Sequence, residues 1–188
     1  MRPEQVPARP ECPEPARWLA PDGEATEADV SALIGAFVTA LKPDYVVETG
    51  TYKGDTTVVI AEALHALKRG HLLSIDIDPV MCAKTQNRVM GLPVTIVSGK
   101  ASNVIPTDPI DLLFIDASLD DRLHQLINFK PHASPRCVIL FHDSALFVAA
   151  AGVTEMYAEM DLAVSSGLVQ PWIKLPTPRG LAITRYAK

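Results

Sequence analysis

Apolar residues along the chain keep two alternating rhythms. Between positions 26 and 41, Val30, Leu33, Ile34, Phe37, Val38 and Leu41 recur at three-and-four spacing, which predicts an amphipathic helix stopped before Pro43. Thr26 and Asp29 stand at capping-box spacing at its start. The run Tyr45–Thr49 then reads as a short buried strand, residues 50–54 as a glycine turn, and Asp55–Leu67 as a second helix. Strand-like runs return at 71–75, 94–97, 110–115 and 137–141. Helix-compatible stretches lie between them around 80–90 and 121–130, and a helix is predicted over about 145–160. Runs 169–175 and 181–186 flank Pro176-Thr-Pro-Arg-Gly180, whose two prolines and glycine suit a hairpin loop.

Five β/α steps closed by a β-hairpin predict an α/β fold: a doubly wound, Rossmann-like sheet, mostly parallel, with one antiparallel strand from the C-terminal hairpin. The first residues break the pattern. Six of the sixteen prolines fall at or before Pro21, among Glu, Arg and Ala, a composition that favours extended backbone over helix or sheet. A Pro-rich arm over 1–25, with Trp18 and Leu19 as anchors, is therefore expected ahead of one domain over 26–188, and the arm offers a surface for a homodimer.

A formal charge of -5 argues against general attraction to phosphate backbones or anionic membranes, so no nucleic-acid or membrane partner is expected. Three widely separated cysteines fit neither a disulfide framework nor a zinc site. Prolines replace the apolar core of an export signal, and no stretch approaches about 18 uninterrupted apolar residues, so a cytoplasmic protein is expected.

In open parallel sheets, ligands sit beyond the carboxyl ends of the strands, which gives those ends most weight. The first reads Glu48-Thr-Gly50-Thr-Tyr52-Lys-Gly54-Asp-Thr56. Its glycines let backbone approach a ligand closely, but G-x-x-x-G is not the dinucleotide pattern. A carboxylate at the end of a buried strand is costly unless paired or facing a cation, so Glu48 suits a ligand ammonium. The next strand ends Ser74-Ile-Asp76-Ile-Asp78-Pro79, where Asp76 can accept hydrogen bonds from two ribose hydroxyls and Ile77 can lie against a flat base. Asp78, before Pro79, fits a helix N-cap.

Taken in order, YVVETGTYKGDTTVVIAEAL, LLSIDIDP, VSGKASNVIP, IDLLFIDAS and VILFHDS resemble the motifs of class I S-adenosylmethionine-dependent methyltransferases. The likeness is to the small-molecule O-methyltransferases of the catechol type and the related macrolide-sugar enzymes, and it covers roughly residues 26–188. It implies a cofactor, S-adenosylmethionine (SAM), whose methionine end is lined by Glu48 and Gly50 and wrapped by Thr51, Tyr52, Gly54 and Thr56. Asp76 would hold the ribose, Ile77 would pack on adenine, and residues from Ser98 through Gly99 and Lys100 to Ala101 would border the base. Asp116 would approach the methionine ammonium, a metal, or both.

Metal-dependent members of that group bind a divalent cation at positions matching Asp116, Asp143 and Ser144. Mg2+ held by Asp116 and Asp143 is thus the metal the resemblance implies, although Ser144 departs from the pattern. Relatives carry a lysine or histidine base where this chain has Leu119, so the catalytic set expected is His142 as base with Asp116 and Asp143, with Asp120 or His124 as lesser candidates. The function implied is methyl transfer from SAM to a hydroxyl oxygen of a small molecule such as a catechol, polyol or sugar. A non-catalytic methyltransferase-like module and a nucleotide-dependent oxidoreductase are the competing readings. No N/D-P-P-Y/F segment follows Asp116, which argues against methylation of nucleic-acid bases.

Overall fold

Every residue of β3 (Tyr45–Thr49) and β6 (Ile110–Ile115) is buried, as near-continuous apolar runs demand in a sheet covered on both faces. The computed structural model describes residues 6–7, 18–144 and 154–188. Before this sheet the chain forms a two-residue pairing of β1 (Val6–Pro7) with β2 (Leu19–Ala20), and then α1 (Ala28–Leu41). The alternation continues through α2 (Asp55–Leu67), β4 (His71–Asp76), α3 (Pro79–Arg88), β5 (Val94–Ser98), α4 (Arg122–Phe129) and β7 (Ala133–His142). It ends with α5 (Thr154–Ser165), β8 (Ile173–Leu175) and β9 (Leu181–Thr184).

The strand order is β5-β4-β3-β6-β7-β9-β8, and β9 is antiparallel to both neighbours. The expected doubly wound sheet, with one antiparallel strand supplied by the C-terminal hairpin, is what forms. Alternate side chains divide into two layers. Val46, Leu72, Leu112, Phe114 and Leu140 pack with Ile34, Val38, Ile60 and Leu64 from α1 and α2. Val47, Ile75, Leu113, Ile115 and Phe141 pack with Leu126, Phe129, Met160 and Ala163 from α4 and α5.

Several boundaries differ from the sequence pattern. The capping box at Thr26 and Asp29 does not form: Glu27 is the N-cap residue of α1, without a side-chain cap, and the Thr26 hydroxyl is used elsewhere. Asp78 does cap α3, accepting from the N–H groups of Val80 and Met81. β7 begins earlier than expected, at Ala133, and only the part of the last predicted helix beyond residue 153 lies within the described residues. Of the arm, Ala20 is buried, whereas Leu19 is exposed. Among the described residues no helix is long and apolar enough to cross a membrane.

The first strand order reversal lies between β3, which is followed across α2 by β4 on one side, and β6 on its other side. Here the tips of β3 and β6 approach closely. Gly50 has φ +89°, and a Cβ on it would lie 2.5 Å from the carbonyl oxygen of Asp116. Gly50→Ala is expected to push these tips apart and to lower unfolding free energy by at least about 2 kcal/mol in urea titrations; an unchanged midpoint would show that the tips yield freely.

Candidate functional site

Beyond the carboxyl ends of β3, β4, β5 and β6 lies a cleft of about 1080 Å3. Of the residues that the sequence and the resemblance named, Gly50, Thr51, Tyr52, Thr56, Asp76, Ile77, Gly99, Lys100, Ala101, Asp116 and Asp143 line it. Glu48, Gly54 and His142 do not. The backbone fixes the frame: the N–H of Gly50 donates to Ile75 O at 2.8 Å, and that of Asp116 to Thr49 O at 3.0 Å.

Asp76 stands at the tip of β4, accepting from the N–H of Tyr52 at 2.7 Å and of Asp78 at 2.9 Å. Each carboxylate oxygen keeps acceptor capacity for a ligand hydroxyl. Beside it Ile77 is 73% exposed and lines the cleft. Tyr52 holds a left-handed φ of 46°, which turns the loop toward α2. At the opposite rim Lys100 pairs with Asp121 at 2.9 Å.

Around Asp116 is a cluster of buried charges, of which Arg122, Asp143 and Arg179 line the cleft while Glu27 and His142 lie behind it. His142 is fully buried; its Nδ1 is 2.9 Å from Asp116 Oδ1 and its Nε2 2.9 Å from Glu27 Oε2. Arg179 Nε and Nη2 donate to the two oxygens of Asp143 at 2.6 and 3.0 Å. Arg122, 1% exposed, donates from Nη2 to Asp143 Oδ2 at 3.3 Å and from Nη1 to the carbonyl of His142. Asp116 Oδ2 accepts from the Thr26 hydroxyl at 2.7 Å.

The two ring nitrogens of His142 both face carboxylate oxygens, which requires a proton on each. Burial alone would lower its pKa, but the charges of Asp116 and Asp143 and the contacts with Asp116 and Glu27 outweigh it and push the value up to about 10. His142, the base named from the sequence, is sealed from the cleft between Asp116 and Glu27, whose carboxylates favour the charged form of its ring. Burial would raise the Asp143 carboxyl, yet His142, Arg179 and Arg122 hold it well below its usual range.

The model of a family described as "Methyltransferase domain" matches residues 47–144, more than half of the chain. The chain belongs to this methyltransferase-domain family. No curated protein sequence matches it. Among solved structures it is similar to the O-methyltransferase TomG from Streptomyces achromogenes, involved in tomaymycin synthesis and crystallised with SAM (TM-score 0.76, 19% identity, 88% of this chain and 83% of that one). SAH-bound methyltransferase PaMTH1 from Podospora anserina gives 0.75 at 16% identity, covering 88% and 81%. An O-methyltransferase from Bacillus cereus in complex with SAH gives 0.70 at 14%, covering 89% and 84%.

Several residues of this methyltransferase domain's cleft region escaped the sequence pattern. Arg122 and Gln125 are buried, and with Leu126 and Phe129 they form the inner stripe of α4. That spacing is the signal: two polar residues occupy positions a buried face would give to apolar ones. Glu27 and Arg179 carry no comparable signal, because both meet the cluster from segments remote in sequence.

Asp116, His142 and Asp143 place one ligand atom each within 4.8 Å of one another, a grouping that by distance alone admits a metal. Around that position the carboxylate oxygens of Asp116 and Asp143 are already engaged by His142, Thr26 and Arg179.

Glu48 is likewise placed differently from expectation. It lies inside the methyltransferase domain, 1% exposed, and accepts at Oε2 from the hydroxyls of Thr57 and Ser74, each at 2.6 Å. The Ser74 hydroxyl also meets that of Thr51, which lines the cleft. Burial raises the Glu48 carboxyl to about 7, against the lowering effect of the two hydroxyls and with help from Asp116 and Asp76. The native state therefore keeps a proton that the unfolded chain, titrating near 4.5, releases, so stability falls as pH rises from 4.5 through 7. Glu48→Gln keeps the acceptor and removes the titration. Its stability relative to wild type is expected to rise by about 2 to 3 kcal/mol between about pH 5 and pH 8 in urea denaturation; a difference independent of pH would contradict a protonated Glu48.

Proposed function

We propose that the chain transfers a methyl group from SAM to a hydroxyl oxygen of a small molecule. One observation carries this reading: the carboxylate of Asp76 and the exposed Ile77 stand side by side at the tip of β4, in the same cleft as Asp116 at the tip of β6. A sugar edge needs an acceptor, a base needs a flat apolar support, and an ammonium needs a carboxylate. Asp76, Ile77 and Asp116 offer these in turn around the switch between β4, β3 and β6.

In this reading Asp76 accepts from the ribose hydroxyls, Ile77 supports the adenine, and the backbone of Gly99, Lys100 and Ala101 borders it. Gly50 and Thr51 pass beneath the amino-acid portion, and Asp116, fixed from behind by His142 and Thr26, receives its ammonium. When bound, the sulfonium supplies a methyl group activated toward a nucleophilic oxygen. The chain's part is to hold donor and acceptor in line. Space for the acceptor continues past Asp116 toward Glu24, Ala25, Glu159 and Arg179, which line the same cleft.

Isothermal titration with S-adenosylhomocysteine tests the donor half. Binding is expected in wild type, weakened by about 10- to 100-fold in Asp76→Asn. Ile77→Asp should weaken it too while leaving the melting temperature unchanged, since Ile77 is 73% exposed. Transfer of labelled methyl to a panel of phenols, catechols and sugars tests the acceptor half. Binding of NAD with no binding of S-adenosylhomocysteine would refute the reading, and cofactor binding without turnover would reduce the chain to a binding module.

A further inference from the structure

We infer that the guanidinium groups of Arg122 and Arg179 stand in the place of a divalent cation between Asp116 and Asp143, so that this site excludes metal. That catalysis then needs no divalent ion rests on the methyl-transfer reading; the exclusion itself does not.

Both carboxylates are already engaged by cationic side chains. Mg2+ requires oxygens at about 2.0 to 2.1 Å. Asp143 gives one oxygen to Arg179 Nε at 2.6 Å and the other to Arg179 Nη2 at 3.0 Å and Arg122 Nη2 at 3.3 Å. Asp116 gives Oδ1 to His142 at 2.9 Å, with Arg122 Nη2 at 3.6 Å, and Oδ2 to Thr26. Both ring nitrogens of His142 lie 2.9 Å from carboxylate oxygens, Nδ1 from Asp116 and Nε2 from Glu27, so the ring is already engaged on both sides.

Fixed positive charge is also present: the guanidinium groups of Arg122 and Arg179 already stand against Asp116 and Asp143. A dication added to that buried group would face guanidinium nitrogens within a few ångströms, and desolvated like charges repel strongly.

The arginines cannot swing aside without dismantling the wall of the cleft. Arg122 is 1% exposed and Arg179 7%. Besides its fork on Asp143, Arg179 donates from Nη1 to the carbonyls of Glu24 and Ala25 at 3.1 and 3.2 Å, and its backbone N–H donates to Glu27 Oε1. A metal in this position would have to detach the segment that also presents Thr26 to Asp116. Arg122 thus does the gathering a metal would do, reaching both carboxylates, while Arg179 holds Asp143 and pins the segment before α1.

Two measurements test this without SAM or an acceptor, so their failure is distinct from failure of the methyl-transfer reading. In 1H–15N spectra of the wild-type chain, saturating Mg2+ is expected to leave the Nε–H signals of Arg122 and Arg179 in place. Shifts or accelerated exchange of these signals would mean displacement from Asp143 and would overturn the inference. In Arg179→Met the Asp143 carboxylate loses its guanidinium fork and the cluster loses a positive charge. Calorimetric titration with Mn2+ should then show a site at least about tenfold tighter than any in wild type. A folded Arg179→Met chain with no gain in Mn2+ binding would also overturn it; should that variant not fold, the wild-type spectra decide alone.

Discussion

The fork between Arg179 and Asp143 joins the loop before β9 to the residue that follows β7, while the remaining arm of the same guanidinium reaches the carbonyls of Glu24 and Ala25. Burying such a pair costs several kcal/mol per ion, and the cost is recovered only when geometry is good and the other donors are satisfied. Here both conditions hold, since at least four N–H groups of Arg179 point at oxygen. Losing one partner would strand the other in a desolvated site, a penalty of about 3 to 5 kcal/mol for buried pairs. The whole acceptor side inherits its shape from this balance, because Thr26, Glu27, His142 and Asp116 are each tied to it directly or through one neighbour.

The cofactor half is built on another principle. There the backbone does most of the positioning: Gly50 can approach Asp116 only because it lacks a Cβ, and Asp76 is aimed by the N–H groups of Tyr52 and Asp78. Such contacts follow from the parallel ladder, which brings the tips of β3, β4 and β6 to one edge. Side chains of ordinary type, a carboxylate and an isoleucine, then suffice to make a cleft suited to a nucleoside.

This difference explains what the amino-acid sequence disclosed. The strand tips were legible because motif and topology coincide: a short apolar run followed by Gly50 or by Asp76 and Ile77 specifies both the element and its chemistry. Glu48 shares that motif, yet it points into the layer under α2, where Thr57 and Ser74 receive it. Period-two alternation assigns a face but cannot say which face the ligand uses. The partners of His142 were illegible for a stronger reason. Glu27 lies 115 positions away and Arg179 is 36 positions from Asp143, so only the folded chain brings them together. An isolated histidine beside an aspartate reads as a base; the same histidine between two carboxylates is a cation.

Asp143 unites these themes. It has φ 58°, in the left-handed region that a non-glycine residue enters at a cost of roughly 1 to 2 kcal/mol. Aspartate is among the residues that tolerate this turn, and the turn separates its side chain from the direction β7 would otherwise give it. The Arg179 fork and the Arg122 contact hold the carboxylate in that position, and the Ser144 N–H completes the turn by donating to Gly180 O at 3.2 Å. A local backbone strain is therefore offset by a long-range ion pair. An aspartate at this position, read alone, suggests a metal ligand; with two arginines committed to it, its work is to anchor the last hairpin and the segment before α1 beside Asp116.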